Sequence, residues 1–233
     1  MTGLLPSRLL PSHLLGTGGV TGRRPGALDI TLGHPGRCPA EPTLAVCIFD
    51  DSGSMLGGSD STGLRYAEAG LALDRVARRC RCGQELAAVL HMNRPTSADL
   101  PVTPLNRRTG AAVTAALTVP GDGDGASEMA ATLRRAVQLA HSHSRHRSML
   151  AAFSDYELVD DMRTLAAELQ GFPGDVHAVV MRSAPPQPLL DADGITVTHV
   201  PAGAAPGAVA HALFDTLTTH RPGARPTAAR RPA

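Results

Sequence analysis

The 233-residue chain is 42% hydrophobic but only 3% aromatic and has no tryptophan, so any core must be built mainly from Ala, Leu and Val. A formal charge of +1 gives no global field for nucleic acid or an anionic membrane, and no run approaches the roughly 18 apolar residues of a membrane span. All 22 basic residues are arginine, which excludes chemistry that needs a lysine, a Walker-type phosphate loop included.

Residues 1–40 read as a Gly/Pro-rich arm with a local echo, Leu4-Leu5-Pro6-Ser7 and Leu9-Leu10-Pro11-Ser12; two copies make no solenoid. The start is apolar but interrupted by Pro6 and Pro11 and lacks a basic lead-in, which argues against a secretory leader and for a cytoplasmic protein. Gly16-Thr17-Gly18-Gly19 has no buried strand before it and Arg23-Arg24-Pro25-Gly26 after it, so it is a linker rather than a nucleotide loop. Only residues 27–32 of the arm alternate like a strand, suited to a sheet edge.

The domain proper is expected over residues 41–220. Residues 44–49 form a short, continuous apolar run, the pattern of a strand buried on both faces. A helical stripe follows over 63–80, a strand over 85–92, two short extended pieces over 100–105 and 113–119, and a helix over 126–141. Then come a buried strand at 148–153, an amphipathic helix at 158–169, strands at 176–181 and 195–200, and a closing helix at 206–217. Strands alternating with helices predict an α/β fold, a mostly parallel sheet with helices on both faces. Residues 221–233 hold three prolines and four arginines without core periodicity, which predicts a disordered tail.

The chemistry concentrates where the first buried strand ends, in Phe49-Asp50-Asp51-Ser52-Gly53-Ser54. Gly53 is expected to fold the backbone tightly, so that the Asp50 carboxylate and the Ser52 and Ser54 hydroxyls converge. Oxygen-only convergence suits a small hard cation such as Mg²⁺. The alternative is a hydrogen-bonded turn, since Asp and Ser are favoured turn formers. Asp51 is expected to point away.

Asp-x-Ser-x-Ser after a buried strand resembles the metal-ion-dependent adhesion site of von Willebrand factor A (VWA) domains. The resemblance extends over about residues 41–220 and implies a Rossmann-like VWA domain. Ser154-Asp155-Tyr156 resembles the family's Thr-Asp-Gly at a strand end, with Asp155 on the metal-facing aspartate and Tyr156 in place of glycine. Ser127 falls on the family's threonine at the opening of the preceding helix, where a helix N-cap would also explain a hydroxyl. The resemblance implies that Ser52 and Ser54 bind Mg²⁺ or Mn²⁺ directly, Ser127 directly or through water, and Asp50 and Asp155 largely through water. A partner's Asp or Glu would complete the octahedron. The implied function is non-enzymatic, metal-dependent protein binding, with adaptors of AAA+ ATPases or stress and conflict systems as the family analogy.

Two other classes compete. A phosphoaspartyl hydrolase built on Asp50 wants a second aspartate where Ser52 stands and a lysine, and a metal-dependent hydrolase finds no histidine close to the motif in sequence. A degenerate, metal-free scaffold is the third reading. Among weaker signals, residues 141–147 are His-rich but read as a solvated loop, and Asp122-Gly123-Asp124-Gly125 as a flexible approach to Ser127. Cys38, Cys47, Cys80 and Cys82 match no recognised zinc or disulfide spacing, and Cys80-Arg81-Cys82 reads as a free-thiol turn.

Overall fold

The computed structural model describes residues 30–56, 62–122, 125 and 127–226. The repeat, the glycine loop, residues 27–29 of the alternating segment, Asp124 and residues 227–233 of the tail lie outside that set. The chain enters through β1 (His34–Pro35), then forms β2 (Thr43–Phe49), a helical turn α1 (Gly53–Leu56), α2 (Thr62–Ala77), β3 (Leu86–His91) and β4 (Leu100–Pro104). It continues through α3 (Gly110–Ala116), α4 (Ala130–Ser142), β5 (Arg147–Ser154), α5 (Met162–Gln170), β6 (Gly174–Arg182) and α6 (Gln187–Leu190). It closes with β7 (Ile195–Pro201), α7 (Ala208–Thr218) and β8 (Ala224–Arg225).

The main sheet has the order β4-β3-β2-β5-β6-β7. All its neighbours run parallel except the edge strand β4. Every residue of β2 is buried, and alternate side chains feed two cores. Ala45, Cys47 and Phe49 join residues of α2, α3 and α7 on one face. Leu44, Val46 and Ile48 join residues of α4, α5 and α6 on the other. Helices on both faces of a mostly parallel sheet are the Rossmann-like VWA architecture expected from the sequence.

Two local expectations are corrected. Residues 113–119 are not extended: the segment begins within α3, and Val113, Ala116 and Leu117 are buried together at helical spacing against the α2 side of the core. Residues 30–32, the described part of the alternating arm segment, are not a strand, although Leu32 packs on the same core.

β1 and β8 lie outside the 41–220 range expected for the domain and pair antiparallel with each other, His34 with Arg225 and Pro35 with Ala224. Arg221, in the expected tail, is 4% exposed. It donates to the Pro35 carbonyl at 2.7 Å and contacts both carboxyl oxygens of the buried Glu85.

Candidate functional site

Asp50 follows β2 directly and Asp155 follows β5 directly. These strands are parallel neighbours with Phe49 beside Phe153, so both aspartates leave the same carboxyl edge of the sheet. The Asp50 N–H donates to the Phe153 carbonyl at 3.0 Å, which carries the pairing one residue further. From β2 the chain goes to β3 on one side and later to β5 on the other, so the two aspartates sit at the point where strand order reverses, the usual ligand crevice of such sheets.

Asp50 is 1% exposed and Ser52 is fully buried. Oδ1 of Asp50 accepts the Ser52 N–H at 2.8 Å, and Oδ2 accepts the Ser154 hydroxyl. The Ser52 and Ser54 hydroxyl oxygens stand 3.0 Å apart. Burial raises the Asp50 pKa above the ordinary carboxylate value, the Ser154 and Ser52 hydrogen bonds oppose the rise, and the charge of Asp155 adds to it. Gly53 opens α1 with nothing within 4 Å of an added Cβ, so its lack of a side chain is not what closes this turn. The turn is closed by the Asp50–Ser52 hydrogen bond, the Met55 N–H to the Ser52 carbonyl at 3.0 Å, and Arg182, whose guanidinium donates to the Ser54 carbonyl.

Ser154 is a site residue that motif reading passed over. It is fully buried, donates to Asp50 and accepts the Tyr156 N–H at 2.8 Å, joining the two loops. The sequence signal was its position as the hydroxyl residue of the Thr-Asp-Gly-like triplet. Tyr156 adopts φ 57°, the left-handed conformation that glycine supplies easily, and buries its ring in the core. The turn geometry therefore survives the substitution. Asp155 is 4% exposed, and its Oδ1 accepts the Glu157 N–H at 3.0 Å while its carbonyl accepts the Ser183 hydroxyl.

Asp51 turns away from the serines, as expected, but is not idle. It is 7% exposed, accepts the Tyr66 hydroxyl, and lies 2.6 Å from Nδ1 of the fully buried His91. Nε2 of His91 faces the Ala116 carbonyl at 3.1 Å. Both ring nitrogens thus meet acceptors, which calls for a proton on each. Burial opposes that charge, but the Asp51 carboxylate outweighs it and holds the His91 pKa above its ordinary value. A buried ion pair thereby anchors the loop after β2 to β3 and α3.

Ser127 lies before α4 rather than inside its first turn. Its carbonyl accepts the Val159 N–H at 3.0 Å, tying it to the loop after β5. The neighbouring Glu128 carbonyl accepts the Asn93 N–H at 3.1 Å, tying the same segment to the loop after β3. The N-cap reading fails: α4 is capped at Met129, whose N–H is met at 2.6 Å by Asp160 of the segment between β5 and α5. Among the described residues no hydrogen bond joins the Ser127 hydroxyl to Asp50, Ser52, Ser54 or Asp155. Asp122 is anchored elsewhere, accepting the Ser97 N–H and hydroxyl at 2.9 and 2.8 Å.

A second cluster stands at the opposite, amino edge of the sheet. Potential ligand atoms of Cys38, Cys80, Cys82 and Glu85 all lie within 4.8 Å of one another, an arrangement able to chelate a metal ion. The sequence showed only Cys80-Arg81-Cys82; the fold adds Cys38.

No family model and no curated protein matches the chain. Solved structures do. The pilus adhesin SpaC of Lactobacillus rhamnosus GG superposes with a TM-score of 0.56 at 12% identity, over 79% of this chain and 30% of the adhesin. Proximal thread matrix protein 1 of the mussel byssus gives 0.54 at 14% identity, over 78% of this chain and 48% of that protein. An aerotolerance-related membrane protein of Bacteroides fragilis gives 0.51 at 10% identity, over 76% of this chain and 99% of that one. The chain thus spans less than half the length of the adhesin and the byssus protein.

These comparisons correct the expected cytoplasmic location. The fold is shared with a pilus adhesin and a byssus thread protein, so neither the fold nor the interrupted apolar start places the chain in the cytoplasm. At such identities the likeness is one of fold and does not reach single site residues. The chain folds as a VWA-like domain.

Proposed function

We propose that this protein is a binding module that captures an acidic side chain of a partner protein through a divalent cation, Mg²⁺ or Mn²⁺. Ser52, Ser54 and Ser127 would supply hydroxyl oxygens, and Asp50 and Asp155 the negative charge. The observation that carries the reading is the Ser52–Ser54 oxygen separation of 3.0 Å beside buried Asp50. Adjacent ligands of a Mg²⁺ octahedron with bonds near 2.1 Å stand about 3.0 Å apart, and the donor set is oxygen throughout, so the residues fit the ion. When bound, such an ion offers an unfilled position to an incoming carboxylate.

Nothing favours a phosphoaspartyl hydrolase. Both oxygens of Asp50 are engaged by Ser52 and Ser154, an arrangement that holds a carboxylate still rather than freeing it to attack. The proposal is tested by titrating Mg²⁺ and Mn²⁺ calorimetrically into the wild type and Ser54→Ala, and by capture on immobilised Asp- and Glu-containing peptides with and without EDTA. Wild-type chain should bind Mn²⁺, Ser54→Ala about tenfold more weakly or worse, and capture should vanish in EDTA. Capture that survives both EDTA and Ser54→Ala identifies a metal-free scaffold instead.

A further inference from the structure

We propose that Cys38, Cys80 and Cys82 hold a structural zinc ion at the amino edge of the sheet, with Glu85 as the fourth ligand. It shares no residue with the Asp50 loops. The Cys80 sulfur lies 3.8 Å from that of Cys38 and 3.6 Å from that of Cys82. A tetrahedral ion with zinc–sulfur bonds near 2.3 Å requires its sulfurs about 3.8 Å apart. The thiols already stand at that spacing. A disulfide would instead draw two of them to about 2.05 Å and strand the third.

Backbone N–H groups of Arg81, Cys82 and Gly83 reach the sulfurs of this turn. Burial raises the Cys80 thiol to about 12. Burial acts on Cys38 too, but the Arg81 and Cys82 N–H groups and the Cys82 and Cys80 thiols outweigh it and hold Cys38 below its ordinary value. The Gly83 N–H donates to Cys80, and Gly83 takes φ 70° in this turn. Backbone donors aimed at sulfur stabilise the deprotonated form that a metal needs. Glu85 is 1% exposed and hydrogen-bonded to Cys38. Arg221, on the same carboxylate, orients it and offsets part of its charge, while lone pairs remain for an ion.

Three thiolates with one carboxylate select a borderline-soft tetrahedral ion over Mg²⁺ or Ca²⁺, which prefer oxygen alone, and four protein ligands make a closed, structural site. The one-residue spacer between Cys80 and Cys82 hid it from spacing rules. The ion would fasten the segment before β2 to the α2–β3 turn.

The test uses full-length chain purified under reductant, loaded with zinc and passed through gel filtration, with metal measured by mass spectrometry and Co²⁺ substituted for optical spectra. Cys82 is exposed, so Cys82→Ser removes a ligand without opening the core. One zinc per chain, a sulfur-to-cobalt charge-transfer band, loss of both in Cys82→Ser and retention of both in Ser54→Ala are expected. The proposal is overturned if chain with all thiols reduced retains no zinc, if Cys82→Ser leaves the cobalt spectrum unchanged, or if Cys38 and Cys80 in zinc-loaded chain are oxidised to a disulfide by dioxygen as fast as in zinc-free chain.

Discussion

Both carboxyl oxygens of Asp50 are engaged inside the protein, so removing this residue has two opposing effects. Asp50→Ala relieves repulsion from Asp155, the smallest of the influences acting on Asp50. It also leaves the Ser52 N–H and the Ser154 hydroxyl without acceptors in a buried site, a loss of about 1–3 kcal/mol. The hydrogen bonds win, and the metal-free fold is destabilised. Asp50→Asn keeps an acceptor for Ser52 and should lose less. Urea denaturation of the two variants in EDTA checks this; an Asp50→Ala chain as stable as wild type would mean that the loop does not depend on these bonds.

Among the elements, β6, β7 and α7 meet at His177, which is 7% exposed. Its Nε2 lies 2.8 Å from the Thr198 hydroxyl and its Nδ1 contacts the Thr216 hydroxyl. Burial lowers its pKa from 6.5 to about 4. The unfolded chain therefore binds the proton more readily, so stability is full above about pH 6.5 and falls as pH drops toward 4, by up to about 3 kcal/mol. Denaturation midpoints measured across that window should show the decline, and His177→Gln should flatten it. The strands around this junction were readable in advance because β2, β5 and β6 are nearly unbroken apolar runs. The segment in α3 was not, because Ala, Val and Thr there suit either period and only packing against α2 decides. Long-range pairings were equally hidden: His91 reaches Asp51 from 40 residues away, and Cys38 reaches Cys80 from 42. The Asp50, Ser52, Ser54 and Asp155 loops were legible because each lies within a few residues of a strand end. Ser127 was legible only as a position, since the backbone that carries it is fixed by Val159 and, through Glu128, by Asn93, both far from it in sequence.

At the scale of the molecule, the Glu85–Arg221 ion pair joins the approach to β3 with the segment after α7, both partners 1% exposed at the side chain. Its Coulomb attraction is weighed against the desolvation of two charges, so the pair itself is worth little, but breaking it strands a buried charge. Arg221→Ala should therefore destabilise the chain by about 3–5 kcal/mol, more than the alanine change at Asp50. Chemical denaturation measures this directly, and a loss below 1 kcal/mol would show that Glu85 finds water or a proton instead.

The β1–β8 pair sets how the domain meets tension. His34 and Arg225 form its outer rung and Pro35 and Ala224 its inner one, so the flanking segments leave side by side. A pull on both would load not only these rungs but also the contacts of residues 31–33, where Arg75 donates to the Gly33 carbonyl, His211 faces the Thr31 carbonyl and Leu32 packs on the core. The load then reaches the Arg221 contacts to Pro35 and Glu85 at the amino edge. The entering segment is thus tied to α2 and α7 as well as to β8, so strain at the ends would be shared among three elements rather than borne by one pairing.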